Sequence, residues 1–245
     1  MNEILNSLYC RKSVRAYEDR PISDKDKQLI LEAAIQAPTA GNMNLYSIMD
    51  ITDQALKDKL AVTCDNQPFI AKAPLVLVFC ADYYRWYQLF CRNMDESVRC
   101  PGEGDLLLAF ADTLIAAQNT VMAAESLGIG SCYIGDIIEN FEQHRALLGL
   151  PKHVVPACMV CFGYPTEQQK KRAKPPRFSA ADIVMQNGYD IAKADNMEQM
   201  LAEREGLTCE ELRAWIERFC RRKWNCDFSA EMTRSAREII KSFCE

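Results

Sequence analysis

Histidine is almost missing from this chain: of 245 residues only His144 and His153 carry an imidazole. A His-rich zinc centre is therefore disfavoured, and a Ser-His-Asp triad would have to use one of these two. The uninterrupted apolar runs fall far short of the roughly 18–20 residues of a membrane span. The N-terminal Met1-Asn2-Glu3-Ile4-Leu5-Asn6 has no basic patch followed by an apolar stretch, so no secretory leader is expected there. No G-x-G-x-x-G follows a strand pattern and no G-x-x-x-x-G-K-[ST] occurs, which removes the dinucleotide fingerprint and the P-loop. Net charge is −5, which argues against nucleic acid as a partner. Hydrophobic residues are 49% and charged residues 26%, ordinary for a globular chain and unlike a disordered or collagen-like one.

Cysteine is present in plenty, at twelve residues. That share stays below the roughly 8–10% of a disulfide scaffold. Reduced thiols in a cytoplasm are the expected state. Cys158-x-x-Cys161 is the only C-x-x-C. It falls inside an expected strand, where positions i and i+3 point to opposite faces and cannot share one ion. No metal is expected.

Along the chain, Asn2 is placed to cap a short helix, and Ser23 a second one that must end before Pro38. Residues 45–51 read as a strand and 53–62 as a helix. Pro74 to Ala81 is a continuous apolar run, expected to be a strand covered on both faces. Residues 105–127 form a long helix apolar round most of its axis, ending at Gly128, for a core or a subunit interface. A short strand at 131–134, a helix near 139–148 and a strand near 154–162 follow. Residues 168–177 read as a linker or extended arm. Thr208-Cys209-Glu210-Glu211 is a capping box, and Ser229 opens the last helix.

Some short runs carry chemistry. Arg11-Lys12-Ser13-x-Arg15 groups cations and a hydroxyl that suit a phosphate, or else form a solvated basic turn. Thr39-Ala40-Gly41-Asn42-x-Asn44 offers amides that donate and accept, fitting a planar imide heterocycle such as a flavin, or a plain Asn/Gly turn. Lys174-Pro175-Pro176-Arg177 holds two cations on a stiff backbone, for a phosphate or as an exposed linker.

Taken in order over residues 1–180, these segments resemble the FMN-dependent nitroreductase family, in its NADPH-dependent oxygen-insensitive nitroreductase and flavin reductase branch. The Arg11-x-Ser13-x-Arg15 signature, the Ala37–Asn44 loop, Asp112-Thr113-x5-Asn119, Ala123–Gly130, Tyr133-Ile134-Gly135 and Gly163-Tyr164-Pro165 carry the likeness. Asn44 stands where the family often has glutamine, and Lys-Pro-Pro-Arg where close relatives have Lys-Pro-Arg. The resemblance implies an α+β, three-layer fold: a central, mostly antiparallel sheet flanked by helices, in an intertwined homodimer with FMN at the interface. It implies a core at residues 1–180 and a helical extension at 181–245, packed on the core or on the partner subunit. Arg11, Lys12, Ser13 and Arg15 would hold the FMN phosphate and ribityl chain with Lys174 and Arg177. Gln67 would meet the ring, Thr39, Asn42 and Asn44 would reach it from the partner, and Tyr133, Ile134 and Gly135 would lie along it. Arg221, Arg222 and Lys223 would bind the 2′-phosphate of NADPH, or else form a solvated helix end.

The implied activity is FMN-dependent NAD(P)H oxidation, with NADPH or NADH reducing nitroaromatics, quinones or flavins in a ping-pong cycle. No side chain then acts as catalyst, because the flavin N5 does the chemistry. The other reading is an FMN carrier or sensor without turnover.

Overall fold

A computed structural model describes residues 1–244. It divides into two units: Met1–Arg172 with the chain from Glu231 onward, and Ala173–Ala230.

The first unit is built on a four-stranded sheet of β1 (Tyr46–Asp50), β2 (Leu75–Asp82), β3 (Gly130–Ile134) and β4 (Val154–Gly163). Its order is β1-β2-β4-β3 and every pairing is antiparallel. Both central strands are buried along their whole length, as the apolar run at Pro74–Ala81 predicts. Pro156 is tolerated inside β4 because β3 pairs only as far as Met159, and because β2 shifts register between Phe79 and Cys80 beside it.

The helices of this unit are α1 (Glu3–Cys10), α2 (Asp24–Ile35), α3 (Gln54–Thr63), α4 (Pro68–Lys72), α5 (Tyr84–Asn93), α6 (Glu103–Ser126), α7 (Phe141–Leu148) and α8 (Glu167–Lys171). Their caps follow the sequence: Asn2, Ser23 and Asp53 each accept a backbone N–H of the first turn. One sheet face packs Val76, Val78, Cys80, Cys132, Ile134 and Cys161 with Leu60 and Ile70 of α3 and α4. The other packs Leu77, Phe79, Cys158, Val160 and Phe162 with Ile30 of α2 and Ala117 and Val121 of α6. Cys158 and Cys161 thus face opposite layers, as strand periodicity requires.

By length and composition α6 is long and apolar enough to cross a membrane. Nine of its residues are buried in the first unit, while Leu107, Leu108, Leu114 and Ile115 form an exposed apolar stripe. Both histidines are structural. Buried His144 bonds Ile137 O and Thr63 Oγ1, and buried His153 bonds Phe243 O and lies edge-on to Tyr87 and Phe243.

Two expectations are corrected. The arm at 168–177 begins as a helix, because Thr166 caps Glu167–Lys171. The last helix starts two residues before Ser229, as α13 (Asp227–Cys244). The second unit contains α9 (Ala180–Ile183), α10 (Ile191–Asp195), α11 (Met197–Glu205) and α12 (Cys209–Lys223). Thr208 and Glu211 form the expected box: Thr208 N donates to Glu211 Oε2 at 2.9 Å and Thr208 Oγ1 accepts from Glu211 N at 3.4 Å.

Candidate functional site

The Arg11–Arg15 segment is laid along the edge strand β3. Val14 N donates to Ser131 O at 2.9 Å, and Ser13 bridges Ser131 in parallel sense. Two paired glycines make this approach possible: Gly130 lies opposite Gly163 in the ladder. A Cβ on Gly130 would sit 2.6 Å from Val14 Cγ2, and one on Gly163 would sit 2.6 Å from the Tyr17 ring. Tyr17 in turn donates to Val14 O at 3.0 Å. Side chains at either glycine would lift the segment off the sheet.

This placement gathers donors. Burial raises the Cys132 thiol above its ordinary range, and the neighbouring Arg15, Ser13 and Arg11 oppose that rise. Arg11 Nη1 and Ser131 Oγ are buried and have no hydrogen-bond partner among the described residues. Buried donors of this kind are costly unless something accepts from them. A guanidinium, serine hydroxyls and a second arginine at one sheet edge are the donor set of an anion such as a phosphate.

Lys12 is engaged otherwise, its ammonium donating to the carbonyls of Lys170 (2.7 Å) and Arg172. One of its three N–H groups is left for a ligand. Arg172 was missed in the sequence: its guanidinium donates to Ser13 O, which puts a further cation at this edge. Gln169 also belongs here, accepting from Arg15 N at 3.3 Å. Only the helix Glu167–Lys171 brings these residues back to β3, and nothing in the local sequence announces that return.

Tyr133, Ile134 and Gly135 continue from Ser131 along β3. Tyr133 is half-buried, with its hydroxyl 3.3 Å from Gln118 Oε1 and its ionisation disfavoured by burial. Gly135 is exposed, and a Cβ there would meet nothing. Gln67 sits before α4 and donates to Cys64 O at 2.9 Å.

The Thr39–Asn44 loop is elsewhere. It leads into β1, the opposite edge of the sheet, and toward the opposite end of the strands. Two intervening strands alone separate the edges by about 14 Å. The loop is held by buried Asp112 of α6, which accepts from Thr39 Oγ1 and from Ala40 N at 3.0 Å. Asn44 N donates to Thr39 Oγ1 at 2.8 Å, and Arg85 and Trp86 of α5 donate to Asn44 O and Met43 O. Gly41, Asn42 and Asn44 all have positive φ, a conformation that glycine and asparagine adopt most readily. A cleft of about 480 Å³ opens between Asn42, Asn44, Trp86 and Leu89.

Lys174 and Arg177 belong to the second unit. Arg177 Nη1 turns back to the carbonyls of Pro175 (3.1 Å) and Pro176 (3.3 Å). Arg221, Arg222 and Lys223 are exposed in the last turn of α12. Among the described residues no cluster suited to a metal occurs.

Residues 8–164 match the model of the nitroreductase family. The chain belongs to that family. It is an oxidoreductase of the nitroreductase type. It is 35% identical to the oxygen-insensitive NADPH nitroreductase of Salmonella typhimurium over 77% of its own length and 75% of that protein. The NfrA1 structure of B. megaterium superposes over 100% of both chains, with a TM-score of 0.84 at 27% identity. The NADPH:FMN oxidoreductase of Vibrio harveyi, complexed with NAD+, covers 98% of both chains with a TM-score of 0.76 at 26% identity.

Proposed function

We propose that this nitroreductase binds FMN and oxidises NADPH or NADH to reduce a nitroaromatic, quinone or flavin. The observation that carries the cofactor assignment is the pair of buried unpartnered donors, Arg11 Nη1 and Ser131 Oγ, beside Ser13 and Arg15. Arg11, Ser13, Arg15 and Ser131 would hold the phosphate and ribityl chain, with Arg172 joining them. Lys12 would contribute its remaining N–H. Gln67 and the Tyr133–Gly135 backbone would lie along the isoalloxazine. When bound, FMN would supply the hydride-transfer chemistry that links the nicotinamide to the acceptor.

The protein's part is binding and orientation. Its two histidines are buried and hydrogen-bonded, so no imidazole is asked to move a proton. The Arg11–Arg15 edge and the Thr39–Asn44 loop lie at opposite corners of the sheet, so one chain supplies two half-sites. An intertwined homodimer would bring Thr39, Asn42 and Asn44 of one subunit to the ring held by the other. The exposed apolar stripe of α6 and exposed Ile4, Leu5 and Leu8 of α1 supply a surface for such a dimer. Residues 1–180 would carry the cofactor, and 181–245 would act as an extension that tunes nicotinamide preference.

Donor and acceptor would use one face in turn. Initial rates measured with both substrates varied should therefore give parallel double-reciprocal lines. Intersecting lines would mean that both bind together, and would overturn the shared-site cycle.

A further inference from the structure

Asp112 and Asn119 are polar residues on the largely apolar helix α6, about two turns apart and so on one face. Neither belongs to the donor set at the β3 edge. Both grip the connection from α2 to β1: Asp112 accepts from Thr39 and Ala40, and Asn119 Nδ2 donates to Ala33 O at 3.1 Å. Within that connection Asn44 is engaged along its backbone and at its side chain. Its N–H donates to Thr39 Oγ1 at 2.8 Å, its carbonyl accepts from Arg85 Nη2 at 3.0 Å, and its Nδ2 donates to the Tyr46 hydroxyl at 3.0 Å. Tyr46 is buried, and its hydroxyl donates to Ala34 O in the last turn of α2 at 3.1 Å. With that proton spent on Ala34, the Tyr46 oxygen can only accept, so the Asn44 amide is held with its Nδ2 toward Tyr46. An amide turned the other way would set two oxygens against each other. Oδ1 and the second amide N–H are left for a ligand, on a half-buried side chain that lines the cleft of about 480 Å³.

We propose that Tyr46 is a positioning residue for the flavin: it sets the Asn44 amide so that Oδ1 accepts from an N–H of the FMN ring. This rests on the reading above, in which the loop meets the ring held by the partner subunit. Asn44 is one methylene shorter than the glutamine the family often has here, so its reach is less and its direction matters more. The amide is ordered by Tyr46 before any ring arrives, so little rotamer freedom is lost on binding.

The test is a double-mutant cycle on the full-length protein, with Tyr46→Phe, Asn44→Ala and the two combined. Tyr46→Phe keeps the buried ring, and Ala34 O keeps the N–H of Ala37 at 3.1 Å, so the variant leaves that carbonyl with a donor. The FMN dissociation constant and the visible absorption spectrum of the bound flavin are read for each protein. Asn44→Ala should weaken FMN binding about fivefold, the loss of one hydrogen bond, and shift the long-wavelength flavin band. Tyr46→Phe should weaken it about threefold and shift the band in the same direction. On the Asn44→Ala background Tyr46→Phe should change neither. The proposal is overturned if Tyr46→Phe weakens FMN binding equally on both backgrounds, or lowers affinity without moving the band, as a packing role would. It is equally overturned if either single variant leaves affinity and spectrum as in the parent. In all these cases the parent still binds FMN and the cofactor reading stands; a parent that takes up no FMN would remove both.

Discussion

Ser131 is a buried hydroxyl with no hydrogen-bond partner among the described residues. If its partner is a bound phosphate, its removal should have opposite effects on the empty and the loaded protein. Ser131→Ala deletes an unsatisfied polar atom, so the empty protein should keep its melting temperature or gain a few degrees. FMN affinity should fall about tenfold, the cost of one charge-assisted hydrogen bond of about 1.5 kcal/mol. Calorimetry with and without FMN separates the two, and equal loss in both would make Ser131 merely structural. Glu139 supplies a second residue-scale prediction. It is buried, and burial together with Asp136, Asp65 and Glu231 pushes it up to about 7. The folded state therefore holds a proton that the unfolded state has released above about pH 4.5. Glu139 should therefore withdraw stability as pH rises from about 5 to 7, and Glu139→Gln should remove that contribution. Glu231 works in the other direction: Arg234 holds it near 2, so its contribution is lost only as pH falls toward that value. Buried His144 and His153, whose protonation burial disfavours, act in the same window with the opposite sign, so it is the difference between the parent and Glu139→Gln from about pH 5 to 7 that isolates Glu139, and an unchanged slope in the variant would remove it as a cause.

At the scale of elements, the pairing of Gly130 with Gly163 decides whether the Arg11–Arg15 segment reaches β3. Gly130→Ala should destabilise the protein by about 1–3 kcal/mol through overpacking against Val14 and should weaken FMN binding with it. Val14→Ala on that background should recover a good part of both losses; if the double variant is no better than the single one, the close approach is not what Gly130 protects. Much at this scale was legible in the chain. The capping residues Asn2, Ser23, Asp53 and Thr208, the apolar run of β2 and the uninterrupted helix α6 are local signals. Their boundaries shifted by only a residue or two. The mostly antiparallel sheet was implied by the family resemblance, but the order β1-β2-β4-β3 was not, because local periodicity says nothing about which strands pair. The site divides in the same way. Arg11, Ser13 and Arg15 announce themselves by composition, whereas Ser131 and Arg172 join them only through strand register and the turn made by α8. Helix α5, which props the asparagine loop, is amphipathic, but it buries no residue fully and no capping side chain marks its start.

At the scale of the molecule, the Arg11–Arg15 segment and the Thr39–Asn44 loop lie at opposite corners of one sheet, an arrangement that the proposed homodimer would resolve. The basic end of α12 belongs to the second unit and is proposed to set the choice of nicotinamide. There the Arg222 guanidinium lies 5.6 Å from the Phe219 ring centroid, and Lys223 Nζ lies 5.6 Å from that of Phe228. Replacing Arg221, Arg222 and Lys223 together by alanine should raise KM for NADPH about tenfold and leave NADH unchanged; equal effects on both would assign the cluster to solvation alone. The central claim, a flavin held at the β3 edge and reduced by a nicotinamide, has one direct measurement. The absorption spectrum of the purified protein, reconstituted with FMN and freed of excess, is recorded before and after anaerobic NADPH. The account predicts a yellow protein with about one FMN per chain, bleached by NADPH and restored by a quinone or nitroaromatic, with Arg11→Ala retaining far less flavin. A protein that takes up no FMN, or whose bound FMN neither NADPH nor NADH bleaches, would contradict it.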